Sequence, residues 1–163
     1  MIFEAAVEVI DLAQDAPDPV YLAEDEAAFY GSLDLRTSEE LVTRVTHLNA
    51  ETTAHPLQQA LARHPAQRIV VFWARASWHR GPALRALLAA NPRLEIVGFP
   101  TGSPDLNPQE QVWKQTRRAV SHNHVTPKLP VLADRFEAHL KEHTFHSSFL
   151  EHYAFYLVCP FLN

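Results

Sequence analysis

The sequence predicts an α/β domain, a mixed sheet flanked by helices, and three observations carry that expectation. Stretches rich in β-branched and aromatic residues are followed by stretches with apolar residues at helical spacing, in the order strands, helix, strand, helix, strand, helix. After its first residue, Arg68-Ile-Val-Val-Phe-Trp73 is unbroken apolar chain rather than an alternation, as in a strand covered by helices on both faces. Proline and glycine mark several of the breaks between these stretches, at Pro17, Pro19, Gly81-Pro82 and Pro92.

Residues from about Ile2 to Gln14 place Phe3, Val7, Ile10 and Leu12 near a helical period and read as a short amphipathic helix, stopped by Asp15-Ala-Pro-Asp-Pro19. Val20-Tyr-Leu-Ala reads as a strand that delivers Glu24-Asp25-Glu26 at its C-terminal edge. Phe29 to Leu35 and Glu40 to Leu48 read as a hairpin around Arg36-Thr-Ser-Glu. Asn49 is an N-cap candidate for a helix to about His64, with Leu57, Ala60 and Leu61 inward. After the buried strand, Gly81-Pro82 opens a helix with Leu84, Leu87 and Leu88 inward, and Leu94 to Phe99 is the next strand. Pro108 starts a helix with Val112, Trp113 and Val120 near helical spacing. A last helix, about Val131 to His143, spaces Leu132, Phe136 and Leu140 four apart.

Composition sets outer limits. The chain has 163 residues, 47% hydrophobic and 20% charged, which is enough to bury a core as a single domain. Cys159 has no second cysteine with which to bridge or share a metal, so a cytoplasmic setting is expected. No run reaches bilayer-spanning length, and Met1-Ile-Phe-Glu-Ala-Ala-Val-Glu lacks the cationic start of a signal peptide, so no membrane is expected as a partner. The net charge of -5 disfavours diffuse attraction to polyphosphate.

Three segments carry candidate chemistry: Glu24-Asp25-Glu26, the turn Ala74-Arg-Ala-Ser-Trp-His79 after the buried strand, and Ser103-Pro-Asp-Leu-Asn-Pro-Gln-Glu-Gln-Val-Trp-Lys114. Each also has a plain structural reading. Asn107-Pro108-Gln109-Glu110 is a good helix start, with Asn at N-cap and Glu at N3 reaching back to the N-cap amide. A run such as Glu24 to Glu26 is commonly a solvated edge, His79 is one of ten histidines, and Trp73, Trp78 and Trp113 suit core and pocket walls. Lys114, Arg117 and Arg118 suit a solvated helix face.

Together these segments resemble the three acid-bearing motifs of the mariner-type DDE transposases of bacterial insertion sequences, from about Val20 to Tyr153. The resemblance implies a ribonuclease H-like fold with an extra C-terminal helix. It also implies metal-dependent DNA cleavage and strand transfer, two Mg²⁺ or Mn²⁺ ions, transposon-end DNA as partner and a possible homodimer. Its acids map to Asp25, position 74 and Glu110; Glu26, His79 and Asn107 would support the pocket, and Lys114, Arg117 and Arg118 would touch DNA. The family's middle motif reads Asp-x-Ala-x-x-His, and here Ala74 stands in place of the acid. Ala74 offers neither charge nor oxygen, so the chain is expected to be inactive.

Two further departures are expected. Only Glu26-Ala-Ala28 separates Asp25 from Phe29, so the segment after the first acid looks shortened. The chain opens about two dozen residues before Asp25, so the single catalytic domain, residues 1–163, is expected without the family's N-terminal DNA-binding domain. Two other readings stand beside this one: a non-catalytic interaction or dimerisation module using the apolar tail Phe149 to Phe161, and an unrelated metal-dependent phosphoester hydrolase using Asp25 with a histidine.

Overall fold

The computed structural model describes residues 20–26, 29–45, 52–74, 81–121 and 128–152. Five strands, β1 Val20–Glu26, β2 Phe29–Asp34, β3 Glu40–Arg44, β4 Ile69–Trp73 and β5 Leu94–Gly98, form one sheet in the order β3-β2-β1-β4-β5. β1, β2 and β3 are an antiparallel meander, while β4 and β5 run parallel to β1. The helices are α1 Ala54–Arg63, α2 Pro82–Ala90, α3 Pro108–Val120 and α4 Leu129–Glu142. The expected mixed sheet with flanking helices is present.

β4 shows how the sequence specifies the layers. Successive strand residues point to opposite faces, and all five of its side chains are buried. Ile69, Val71 and Trp73 join Leu57 and Leu61 of α1 and Leu84 of α2. Val70 and Phe72 join the opposite cluster, with Leu33, Val112, Trp113 and Leu140. Each fully buried aliphatic side chain contributes roughly 2 kcal/mol relative to exposure.

Several boundaries differ from expectation for identifiable reasons. α1 begins at Ala54 after Thr53, not after Asn49, which lies outside the described residues. Pro56 explains this: proline is tolerated in a first turn but would break the interior of a helix begun at Asn49. The Thr53 hydroxyl is buried against the Tyr30 hydroxyl, 3.1 Å away, and makes no cap. α4 begins two residues earlier than expected, with Pro130 in its first turn. The amphipathic helix expected over Ile2 to Gln14 lies outside the described residues, as does the turn at Ala27-Ala28, although β1 and β2 pair directly, Glu26 with Tyr30.

The β2–β3 turn is set by Asp34, whose Oδ1 accepts from the amides of Arg36 (2.8 Å) and Thr37 (3.1 Å), with Ser38 left-handed at φ 64°. α4 packs on α3 and β3. Phe136 stacks on Phe29 and Trp113, and Arg44 pairs with Asp134 at 2.6 Å. The chain then returns to the sheet: Thr144 bridges Glu39, and the Phe145 amide donates to the Ser38 carbonyl at 2.7 Å. Phe149 meets Phe72 edge-on at 5.1 Å and Phe99 at 6.0 Å, so the start of the apolar tail is core rather than free binding surface. Among the described residues no helix is long and apolar enough to cross a membrane.

Candidate active site

The parallel register runs from Val20 beside Ile69 to Glu24 beside Trp73. Asp25 and Ala74 are the next residues along each strand, so these positions sit side by side at one end of the sheet, on backbones roughly 4.8 Å apart. The two-residue period places both in the row of Ala23 and Phe72, on the face that α3 covers. On its other side Asp25 pairs with Gly31 of β2. A Cβ at Gly31 would collide with Gln109 Nε2 and Glu40 Oε1 and lie 2.7 Å from the Trp113 ring. The first turn of α3 therefore lies directly on the sheet one strand from position 25, and Glu110 is in that turn.

Local sequence fixes this turn. Pro104–Leu106 forms a short 3₁₀ turn, Asn107 is the N-cap and Pro108 the first helical residue. Asn107 Oδ1 accepts from the Gln109 amide (3.1 Å) and its carbonyl from the Glu110 amide (3.1 Å). The Asn107 amide itself donates to the Pro104 carbonyl at 3.0 Å, so it does not depend on Glu110 for a partner, as the capping reading expected. The Glu110 carboxylate is partly exposed, near the positive end of the helix dipole and 4.0 Å from Arg117 Nη2.

A buried polar cluster that sequence reasoning passed over lies beside it. Gln109 is completely buried: its Oε1 accepts from the Leu33 amide (3.1 Å) and its Nε2 donates to Glu40 Oε1 (2.8 Å). Burial pushes the Glu40 carboxyl up to about 8, against the opposing effect of hydrogen bonds from Gln109 and the Ser32 backbone. Glu40 is therefore mostly neutral at pH 7. Around it, Glu40 Oε2, Trp113 Nε1 and Thr116 Oγ1 are buried without hydrogen-bond partners among the described residues. One signal was available: Gln109 shares a helix face with Val112, Trp113 and Thr116, an inward stripe with a polar residue at its head.

The remaining candidates are scattered or outside the described region. Glu26 ends β1 opposite Tyr30, and its side chain, like that of Asp25, lies outside the described residues. His79 and Trp78 lie outside them too. Lys114, Arg117 and Arg118 are exposed on α3. Among the described residues no group of three or more His, Cys, Asp or Glu side chains gathers. Mg²⁺ and Mn²⁺ are held through oxygen ligands. The Ala74 side chain supplies none, so the residues present do not fit a complete set.

The family model described as DDE superfamily endonuclease matches residues 14–132. The chain belongs to this family. Its fold is that of the ribonuclease H-like transposase and integrase catalytic domains among solved structures. This DDE domain matches the Mos1 transposase catalytic domain solved with raltegravir and Mn at a TM-score of 0.67 and 13% identity, covering 94% of this chain and 89% of that one. It matches the Mos1 transposase paired-end complex with left transposon end at 0.64 and 13% identity, over 94% of this chain and 59% of that one. A chain of a simian T-cell lymphotropic virus intasome matches at 0.52 and 8% identity, over 74% and 47%. At such identities the likeness is one of fold. Comparison with curated proteins finds no significant match.

Proposed function

We propose that residues 1–163 form one DDE catalytic unit whose ancestral reaction is cleavage and strand transfer of transposon-end DNA, with positions 25, 74 and 110 holding two divalent ions, and that Ala74 leaves it without turnover. The observation that carries this reading is the register: Asp25 and Ala74 follow the paired residues Glu24 and Trp73, while Asp25 pairs with Gly31, on which the first turn of α3 rests. On this reading three positions far apart in sequence share one rim and one face of the sheet.

Phosphodiester cleavage of this class uses two ions a few Å apart, one activating the nucleophile and one stabilising the leaving oxygen. Mg²⁺ and Mn²⁺ prefer oxygen ligands, and of the three positions only 25 and 110 carry carboxylates, Ala74 bringing a methyl instead. The dual placement of Glu110 fits such a role: its backbone is held by the Asn107 cap while its carboxylate stays partly exposed. Lys114, Arg117 and Arg118 lie one to two turns along the same helix and supply phosphate contacts, offsetting a net charge of -5 that gives no general attraction to DNA. The Mos1 paired-end complex with a left transposon end supports DNA of that kind as the partner, and a homodimer of this chain is part of the same proposal.

Nicking of supercoiled plasmid in Mn²⁺ tests the proposal. The natural chain is expected to stay at background, and Ala74→Asp to raise nicking by roughly a hundredfold or more, since a completed ion site supplies several kcal/mol to the transition state. Equal nicking by the two chains would remove position 74 from the site.

A further inference from the structure

We infer that Gln109 and Glu40 are positioning residues for the third acid, a buried clamp that fixes the first turn of α3, and with it Glu110, against β2 and β3 beside position 25. The inference rests on the DDE reading for what Glu110 does, but the clamp itself is read from contacts that involve neither metal nor DNA.

Apolar contact alone leaves a helix free to slide, because burial has no direction. Val112 and Trp113 hold α3 to the sheet but do not set its register to within an ångström. Gln109 does so through three bonds at one point. Its amide is tied to Asn107 Oδ1, its Oε1 takes the Leu33 amide of β2, and its Nε2 gives to Glu40 Oε1 of β3. Gly31 makes this approach possible, because any side chain there would occupy the place of both polar groups. Asp25 is Gly31's partner on the other side, so the clamp is one strand from the first acid and one residue from the third.

The arrangement is costly in a way that packing for stability would avoid. Glu40 is buried with one oxygen unpartnered, and Trp113 Nε1 and Thr116 Oγ1 nearby are likewise unpartnered among the described residues. A leucine at 109 and a valine at 40 would remove the unpartnered Glu40 oxygen but would also strip the Leu33 amide of its acceptor. The polar pair contributes direction instead. Neutral Glu40 suits that task, since its carbonyl oxygen accepts from Gln109 with no net charge introduced into the core. The acids flanking it in the hairpin are turned elsewhere: Glu39 pairs with Arg63, and Asp34 accepts the amides of Arg36 and Thr37.

Amide hydrogen exchange on the natural chain reads the clamp directly. In Gln109→Leu and Glu40→Ala, exchange at Leu33, Gln109 and Glu110 is expected to quicken at least about tenfold, while α1 and α2 stay unchanged. Glu40→Gln, which keeps the accepting oxygen and the neutral charge, is expected to hold exchange near the natural rate. In the Ala74→Asp background, Gln109→Leu and Glu40→Ala are expected to lower nicking kcat about tenfold with KM for DNA little changed, and Glu40→Gln to retain most of it. Unchanged exchange at Leu33 and Glu110 in Gln109→Leu, or Glu40→Gln loosening the turn as much as Glu40→Ala, would overturn the inference. If Ala74→Asp alone fails to nick while the exchange pattern appears, the clamp stands and the DDE reading of the site falls.

Discussion

On one face of the sheet α1 and α2 meet β4 through Leu57, Leu61, Val71 and Leu84, an apolar seam. On the other, α3 and α4 bring Val112, Trp113 and Leu140 to Leu33 and Phe72, but the same layer encloses Glu40, Gln109 and Thr116. The seam of the first face with β4 is built for stability, since the groups buried there gain by leaving water, and the polar groups of that face, the paired Tyr30 and Thr53 hydroxyls and Ser32, sit over β2. The second face retains polar groups that gain little or lose, and it is the face to which the proposed site assigns positions 25, 74 and 110. The contrast separates packing that holds the domain together from packing that aims a residue.

Substitutions on the two faces should therefore break different things. Leu57→Ala, at a fully buried α1 position, is expected to cost about 3 kcal/mol in urea unfolding, while leaving the nicking rate per folded molecule of the Ala74→Asp chain intact. Gly31→Ala is expected to cost less, about 2 kcal/mol, because Gln109 and Glu40 must give way, yet it should remove most nicking in the same background. If the two variants lose activity only in proportion to their stability, the faces do not differ in the way described.

The legible parts of the molecule were those where one physical demand dominates. The unbroken apolar run of β4 announced a strand covered on both sides, and Asn107-Pro108 announced the start of α3, because capping and a fixed φ act locally. The three rim positions could be named from their motifs, but only strand register brings 25 and 74 together. Asn49 misled because caps are read one residue at a time; Pro56, seven residues on, was the stronger constraint. Gln109 and Glu40 were passed over because their partners are 69 positions apart in the chain, and a polar residue at a strand start or helix start looks solvated until the layers close. Phe149 joined the core for a related reason, reaching Phe72 and Phe99 only after the chain turns back along β3.

A dependence on pH sharpens the same comparison. The Glu40 carboxyl is raised from an ordinary 4.5 to about 8 in the folded chain, so between those values the unfolded state has released a proton that the folded state keeps. Its contribution to stability is fully present below about pH 4.5 and is lost as pH rises toward 8, by at most about 1.4 kcal/mol per pH unit. Urea midpoints of the natural chain and Glu40→Gln should therefore diverge over that range, with the variant relatively more stable at the alkaline end. Parallel curves would mean that Glu40 ionises as freely in the folded chain as in the unfolded one.

Calorimetric titration of Mn²⁺ into the natural chain, Ala74→Asp, and Ala74→Asp combined with Asp25→Asn or Glu110→Gln tests the rim most directly. One pocket shared by three positions predicts that Ala74→Asp binds at least about tenfold more tightly than the natural chain, and that either second substitution takes the gain away. Binding that is the same with Ala74 or Asp at that position, or a gain that survives Asp25→Asn or Glu110→Gln, would contradict it.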